Sequence, residues 1–197
     1  TGALPGIKVD TGAKVLASST KEKITEGLDG LRERLKTYYQ LGARFTKWRG
    51  VYNIGEKYPS RLAIYSNAHA LARYSALVQE CGMVPIVEPE VLMDGEHSAD
   101  DCLNKTSEVI KKCFDELIIH KIDLAGVILK PNMILAGNRS KNKISNEEVA
   151  SKTLQCLKAS VPNEVPGIAF LSGGQSEIEA TENLNLINKN NNTNFIM

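Results

Sequence analysis

Lys130 lies at the end of a short apolar stretch, Val127-Ile128-Leu129, directly before Pro131. An ammonium ion in apolar surroundings is unfavourable unless it is paired or loses its proton. Burial and neighbouring cations favour the neutral amine, and a neutral lysine amine can attack a ketone to form a Schiff base. The protonated imine withdraws electrons from the adjacent carbon, as carbon–carbon cleavage beside a ketone requires. Lys130 is therefore a candidate nucleophile.

Glu88 and Glu90, in the stretch VPIVEPE (84–90), are candidate acid and base groups for such a reaction. A carboxyl kept protonated by its neighbour can protonate the hydroxyl that departs as the imine forms, while the ionised carboxylate accepts a proton. Glutamates two residues apart are also common on solvated strand edges. Beside a buried lysine, acid–base chemistry is the better interpretation of this pair.

The segment LSGGQSEIEA (171–180) has the composition of a phosphate-binding loop. Ser172, Gly173 and Gly174 follow an apolar stretch, and Ser176 opens a helical pattern. Glycines let backbone N–H groups approach an anion, and a helix N-terminus behind them favours negative charge. A plain strand-to-helix turn would use the same residues. The lysines elsewhere in the chain favour the phosphate interpretation.

Stretches of strand character alternate with helical patterns along the chain, which implies parallel strands joined by helical crossovers. The strands are expected at 6–10, 44–50, 84–90, 126–132 and 167–174. Apolar residues at helical spacing occupy the intervals. Capping-box patterns mark three helix starts, at Ser98, Ser145 and Ser176. The predicted fold class is therefore α/β.

A polar residue near the end of each predicted strand recurs every 39 to 42 residues, at Lys8, Lys47, Glu88, Lys130 and Ser172. (β/α) barrels build their active sites from the carboxyl ends of their strands, so this period favours a barrel. An open doubly wound sheet is the alternative, but no glycine-rich fingerprint follows the first strand. Residues two apart share a strand face. Arg49 is therefore expected beside Lys47, and Glu90 beside Glu88.

Composition indicates an ordinary globular protein with one sizeable core. The 197 residues are 42 % hydrophobic and 24 % charged, and the formal net charge is +1. Near-neutrality argues against a general nucleic-acid-binding protein, which would show a basic excess. No apolar run reaches the roughly 18 residues of a membrane span, and no signal peptide precedes the first strand.

The cysteines and histidines show no metal-binding pattern in the sequence. The cysteines have no CxxC pairing and are expected to be free thiols, at Cys81, Cys102, Cys113 and Cys156. His69, His97 and His120 are scattered over predicted helix and loop positions and are expected to share no face. We interpret these histidines as structural or solvated and predict no metal site.

A set of motifs, in this order and at this spacing, resembles class I fructose-bisphosphate aldolase: GIKVD, KWR, PIVEPE, LKPNM and FLSGGQSE. The similarity continues through connecting segments and covers essentially the whole chain. It implies a (β/α)8 TIM barrel, of which residues 1–197 form a single partial domain of about five βα units. It also implies a cytoplasmic lyase of glycolysis and gluconeogenesis. The reaction would be reversible cleavage of fructose 1,6-bisphosphate to dihydroxyacetone phosphate and glyceraldehyde 3-phosphate.

The resemblance also implies roles for single residues. Lys130 resembles the Schiff-base lysine of the family. Glu88 resembles the general acid–base carboxylate, and Glu90 supports it. Lys47 resembles the second active-site lysine, with Arg49 as its substrate-binding neighbour.

The remaining implications concern phosphates, cofactors and partners. Lys8 resembles the lysine near the distal phosphate, and Ser172, Gly173 and Gly174 match the loop for the phosphate on the dihydroxyacetone side. No metal or other cofactor is implied. The family implies sugar phosphates as ligands, a homotetramer and, by analogy with some members, a cytoskeletal partner.

The chain departs from the family pattern in length. It begins at what resembles the third barrel strand and ends, at Met197, before the eighth. In isolation it is expected to show little or no turnover. Two alternatives stay open: another imine-forming barrel lyase, such as a transaldolase-like enzyme, and a truncated, non-catalytic binding protein.

Overall fold

The computed structural model describes residues 2–197 and contains a five-stranded parallel sheet with the strand order β1-β4-β5-β6-β7. These strands are β1 (Gly6–Lys8), β4 (Phe45–Tyr52), β5 (Val84–Val91), β6 (Ile128–Leu129) and β7 (Gly167–Ile168), and β2 and β3 form a separate hairpin. All the predicted strands of this sheet are confirmed. β6 and β7 are shorter than predicted, and β6 ends just before Lys130-Pro131, where the proline has no N–H to continue the ladder.

Helices α1 to α5 alternate with these strands and span Leu31–Gln40, Arg61–Glu80, Ala99–Ile119, Asn146–Ser160 and Glu177–Asn190. The predicted capping boxes are confirmed at the starts of α3, α4 and α5, at Ser98, Ser145 and Ser176. In each, the serine hydroxyl accepts the N–H of the third helical residue, whose carboxylate accepts the serine N–H. Each box therefore satisfies two backbone donors at a helix end.

The alternation of side chains along β4 separates the core from the charged face of the sheet. Thr46 and Trp48 are fully buried and meet Tyr74 of α2. The Tyr74 hydroxyl lies 2.7 Å from Thr46 Oγ1, and the Trp48 and Tyr74 rings are 5.5 Å apart. Burial raises the pKa of the Tyr74 hydroxyl well above its ordinary value. Lys47 and Arg49 therefore project from the opposite face, with 25 % and 43 % of their side chains exposed.

An antiparallel hairpin, β2 (Gly12–Leu16) and β3 (Ser19–Glu26), lies outside the sequence prediction. It packs on β4, where the Thr25 hydroxyl donates to the Arg49 carbonyl at 2.6 Å. Asn67 of α2 accepts the Thr25 N–H at 3.2 Å. The hairpin is rich in Lys, Glu and Thr, so its strands lack the apolar alternation that reveals a half-buried strand.

The chain continues past β7 along the sheet. Ile196 forms a parallel bridge to Gly167, and Phe195 is buried in the core. The sequence analysis did not predict this short pairing segment, because it follows an asparagine-rich stretch without apolar alternation. Within residues 2–197, no helix is long and apolar enough to span a membrane.

Candidate active site

Glu88 joins the two lysines that the sequence analysis singled out. Lys130 Nζ donates to Glu88 Oε1 at 2.6 Å, and Lys47 Nζ lies 2.7 Å from Glu88 Oε2. The Glu88 side chain is 3 % exposed, whereas about a quarter of each lysine side chain is exposed. A buried carboxylate is stable only when it is paired, and this one has two cations. The structure thus brings together three residues that lie on three consecutive βα units.

The two lysine contacts with Glu88 differ in kind. The Lys130 contact has hydrogen-bond geometry, whereas Glu88 Oε2 has no aligned hydrogen-bond donor within the described residues. Lys47 therefore acts on this oxygen as a nearby charge. The sequence predicts aliphatic surroundings for Lys130, but its nitrogen faces a carboxylate that can accept its proton.

Arg49 and Glu90 form a second pair beside the first. Arg49 Nε donates to Glu90 Oε2, and Glu90 is almost fully buried. This hydrogen bond raises the pKa of Arg49 and outweighs the opposing effect of partial burial. The guanidinium is therefore a fixed positive charge on the charged face of β4.

Lys8 and Asp10 extend the charged face from β4 toward β1, which is an edge strand of the sheet. Lys8 Nζ lies 2.5 Å from Asp10 Oδ1. The buried Asp10 carboxylate also accepts the Gly12 N–H at 3.1 Å and the Arg49 N–H at 3.4 Å. Asp10 therefore links the turn after β1 to β4 and holds Lys8 beside the site.

The loop Ser172-Gly173-Gly174 lies between β7 and α5. Gly173 and Gly174 have φ values of 60° and 86°, in the left-handed region that favours glycine. Within residues 2–197, the backbone N–H groups of these three residues donate no hydrogen bond to protein atoms. Three unpaired donors ahead of the N-cap Ser176 form a suitable cradle for an anion.

One open cavity of about 570 Å³ collects these groups at the carboxyl ends of the strands. The predicted site residues that line it are Lys8, Lys47, Arg49, Glu88, Glu90, Ser172, Gly173 and Gly174. Lys130 is not part of the lining and meets the cavity through Glu88. Five further lining residues were not among the predicted site residues: Leu92, Met93, Asp94, Asn138 and Leu171. The first three directly follow β5, and their position at the carboxyl end of a predicted strand could have identified them as site residues.

The cysteine prediction is confirmed, and one histidine prediction is wrong. The four cysteines are free. His69 of α2 and His120, which follows α3, share a face after all, because the two helices pack together and bring both rings to Glu116. His97 lies apart in the loop after β5, where burial lowers the pKa of its imidazole.

Parallel βα units that gather lysines and carboxylates around one cavity are the arrangement of part of a TIM barrel, with a lysine-containing candidate active site. Residues 1–196 match the family described as fructose-bisphosphate aldolase class-I. The chain belongs to the class I fructose-bisphosphate aldolase family. Class I aldolases act through a lysine Schiff base without a metal, unlike the metal-dependent class II enzymes.

Relatives from several organisms agree with this assignment. A Xanthomonas campestris protein named "Probable fructose-bisphosphate aldolase class 1" is 53 % identical over 184 residues, 93 % of this chain and 55 % of its own length. The cytosolic fructose-bisphosphate aldolase 4 of Arabidopsis thaliana is 52 % identical over 188 residues, 95 % of this chain and 48 % of its own. The chain spans about half the length of the curated relatives it matches.

A solved structure is similar as well. It is the Plasmodium falciparum fructose-bisphosphate aldolase in complex with TRAP and a small-molecule inhibitor. The TM-score is 0.96 at 45 % sequence identity, over 98 % of this chain and 56 % of the other. The α/β prediction is thereby confirmed, and the fold agrees with part of a TIM barrel.

Proposed function

We propose that this chain carries the Schiff-base part of a fructose-bisphosphate aldolase active site. The reaction is the reversible cleavage of fructose 1,6-bisphosphate to dihydroxyacetone phosphate and glyceraldehyde 3-phosphate in glycolysis and gluconeogenesis. The observation that supports it best is the contact of Lys130 and Lys47 with the two oxygens of one buried carboxylate, Glu88. Such an arrangement supplies a nucleophile, a proton acceptor and a fixed charge at one place.

Imine formation begins with proton transfer from the Lys130 ammonium to Glu88, 2.6 Å away. The neutral amine attacks the ketone carbon, and one amine proton moves to the former carbonyl oxygen to give a carbinolamine. Protonated Glu88 then returns its proton to that hydroxyl, which leaves as water while the nitrogen lone pair closes the iminium. Lys47 stabilises the Glu88 carboxylate each time it becomes charged.

Cleavage then uses the iminium as an electron sink. Glu88, ionised again after water has left, accepts the proton of the hydroxyl on the far side of the scissile bond. The carbon–carbon electron pair moves into the iminium to give an enamine, and the aldehyde departs. Glu90 supports this step, because its pairing with Arg49 keeps a negative charge beside the site without competing for the same proton.

The two phosphates have separate candidate positions around the cavity. Ser172, Gly173 and Gly174 offer backbone N–H groups, and we assign to them the phosphate on the dihydroxyacetone side. Lys8 is half exposed on the same cavity and takes the distal phosphate. Arg49 contacts the substrate between them. This division explains why a bisphosphate suits the site better than a monophosphate.

Location and assembly extend the proposal beyond the active site. We assign the protein to the cytoplasm because the Arabidopsis and spinach relatives carry cytosolic or cytoplasmic names. A homotetramer and a cytoskeletal partner follow from family analogy. The aldolase–TRAP complex supports the idea that an aldolase of this fold can hold a protein partner. The native mass of the protein tests the homotetramer, and co-sedimentation with cytoskeletal filaments tests the partner.

Borohydride trapping tests the Schiff-base assignment. The intact enzyme is mixed with fructose 1,6-bisphosphate or dihydroxyacetone phosphate, and borohydride reduces any iminium to a stable amine that peptide mass spectrometry can locate. We expect the adduct on Lys130 and none in Lys130→Ala. Lys14→Ala, which removes an exposed lysine of β2, should label like the parent. An adduct on Lys47, or no adduct, would overturn the assignment.

Substrate comparison separates the proposed activity from that of another imine-forming lyase. Rates of iminium trapping are measured with fructose 1,6-bisphosphate and with fructose 1-phosphate. A strong preference for the bisphosphate supports the aldolase proposal. Indifference to the second phosphate favours a transaldolase-like enzyme, and trapping with neither sugar favours a non-catalytic binding protein.

A further inference from the structure

Three potential metal ligands converge where α2 packs against α3. His69 projects from α2, Glu116 lies in the last turn of α3, and His120 follows that helix. One ligand atom from each residue lies within 4.8 Å of the other two. His69 Nδ1 is 3.3 Å from Glu116 Oε2, and His120 Nδ1 is 3.9 Å from the same oxygen. Both imidazole rings thus lie beside the same Glu116 oxygen.

Lys112 holds the Glu116 carboxylate in a suitable orientation. Lys112 Nζ lies 3.0 Å from Glu116 Oε1 and 4.2 Å from the centre of the Tyr65 ring. The ammonium thus occupies one carboxylate oxygen and leaves the other directed at the imidazoles. The paired ammonium favours the ionised carboxylate, the form that binds a metal ion.

The backbone orients the His120 ring in the same way. His120 Nδ1 lies 2.9 Å from the Glu116 carbonyl oxygen, so this nitrogen carries the proton and donates it. A neutral imidazole in that tautomer has its free lone pair on Nε2. A hydrogen bond of this kind fixes both the tautomer and the direction of metal-binding histidines.

We propose that His69, Glu116 and His120 form a binding site for a zinc-class divalent cation. Two imidazoles and one carboxylate are a donor set that zinc accepts, with solvent in the remaining position. Nitrogen ligands select such ions over magnesium and calcium, which prefer oxygen. Zinc ligands lie about 2.0–2.2 Å from the ion, so the ligand atoms must draw closer by small side-chain rotations. The His69 side chain is 54 % exposed and free to make such a rotation.

A cation at this place would clamp α2 to α3 and leave the active site open. Glu116 and His120 lie at the C-terminal end of α3, which leads toward the start of β6, whereas the active site lies at the carboxyl ends of the strands. The bound ion should therefore raise thermal stability without blocking Schiff-base formation. This inference does not depend on the proposed function.

Titration of the purified, metal-free protein with zinc chloride tests the site. We expect one zinc ion to bind with a rise in melting temperature and no such rise with magnesium. His69→Gln and Glu116→Gln should each weaken zinc binding by about tenfold or more, since loss of even an outer-shell partner costs 10–100-fold. Cobalt bound at the site should show the visible bands of nitrogen and oxygen ligation without thiolate charge-transfer absorption.

Glu108→Gln is the matched control for Glu116→Gln. Glu108 also lies on α3 and is also paired with a lysine, since Lys105 Nζ lies 3.0 Å from it. This variant should bind zinc like the parent. Unchanged zinc affinity in both His69→Gln and Glu116→Gln, or thiolate bands with cobalt, would overturn the proposal. Circular dichroism of each variant shows that the fold is retained.

Discussion

The side chain of Asn132 accepts a hydrogen bond from the backbone N–H of Val91 at 3.0 Å. Its amide nitrogen donates to Thr106 Oγ1 at 3.1 Å, and the whole side chain is buried. Val91 directly follows Glu90, and Asn132 lies two residues after Lys130. One buried amide therefore ties the strand end that carries the carboxylates to the segment that carries the candidate nucleophile.

Asn132→Ala should destabilise the protein and misplace Lys130. The substitution leaves the Val91 N–H buried without an acceptor, and such a loss costs about 1–3 kcal/mol of unfolding free energy. Denaturant titration measures this loss, and the rate of iminium trapping should fall with it. Asn142→Ala, in an exposed loop, should change stability by no more than about 0.5 kcal/mol. Equal stability of the two variants would show that the Asn132 bridge contributes nothing.

Glu88→Gln should slow imine formation by about 10²- to 10⁴-fold, the usual contribution of general acid–base catalysis. An amide can neither accept the Lys130 proton nor protonate the departing hydroxyl. Borohydride added after defined reaction times gives the rate of imine formation. Glu90→Gln provides the comparison, because the ion pair of Glu90 is with Arg49, whereas Glu88 pairs with Lys130. We expect its rate to stay closer to that of the parent, and a parental rate in Glu88→Gln would refute the acid–base assignment.

Gly174→Ala should weaken phosphate binding. Its φ of 86° lies in the left-handed region, and a Cβ there would lie 2.6 Å from Met93 Sδ. The loop would shift, and loss of one N–H to a charged phosphate is worth about 1.5–3 kcal/mol, so the KM of the intact enzyme for the bisphosphate should be at least about tenfold higher.

Gly30→Ala separates backbone strain from loss of the phosphate site. Gly30 has φ 65°, and a Cβ there would meet no atom within 4 Å. Both substitutions should lower thermal stability through the left-handed strain, about 1–2 kcal/mol each. Only Gly174→Ala should raise KM. An equal rise in the two variants would mean that the loop does not hold phosphate.

The sheet and most of the candidate site were predictable because polar residues recur along the sequence at a nearly constant interval. Polar residues at strand ends recur with the period of a βα unit, and strand alternation assigns Lys47 with Arg49 to one face. The capping boxes at α3, α4 and α5 are local, so a stretch of four residues suffices to reveal each one. These features need no knowledge of how helices and strands pack.

Features that arise from packing were not predictable from the sequence. The hairpin β2–β3 is held by contacts from Thr25 and Asn67, which lie 42 residues apart. His69 meets His120 only because α2 crosses α3 at a particular register. Lys130 and Glu88 were expected in one site, but their direct contact was not predicted, because periodicity assigns a strand face and gives no distance.

Asp101→Asn should change how stability depends on pH. Hydrogen bonds from the Ser98 hydroxyl and backbone lower the pKa of Asp101 below its ordinary value of 3.8. A carboxylate with a lowered pKa stabilises the fold fully above its unfolded value, and this contribution disappears as the pH falls through the folded value. The parent should therefore be more stable than Asp101→Asn at neutral pH, and this advantage should shrink below pH 3.8. Asp115→Asn, at an exposed position of the same helix, is the control, and the same pH-dependent difference there would contradict the capping-box explanation.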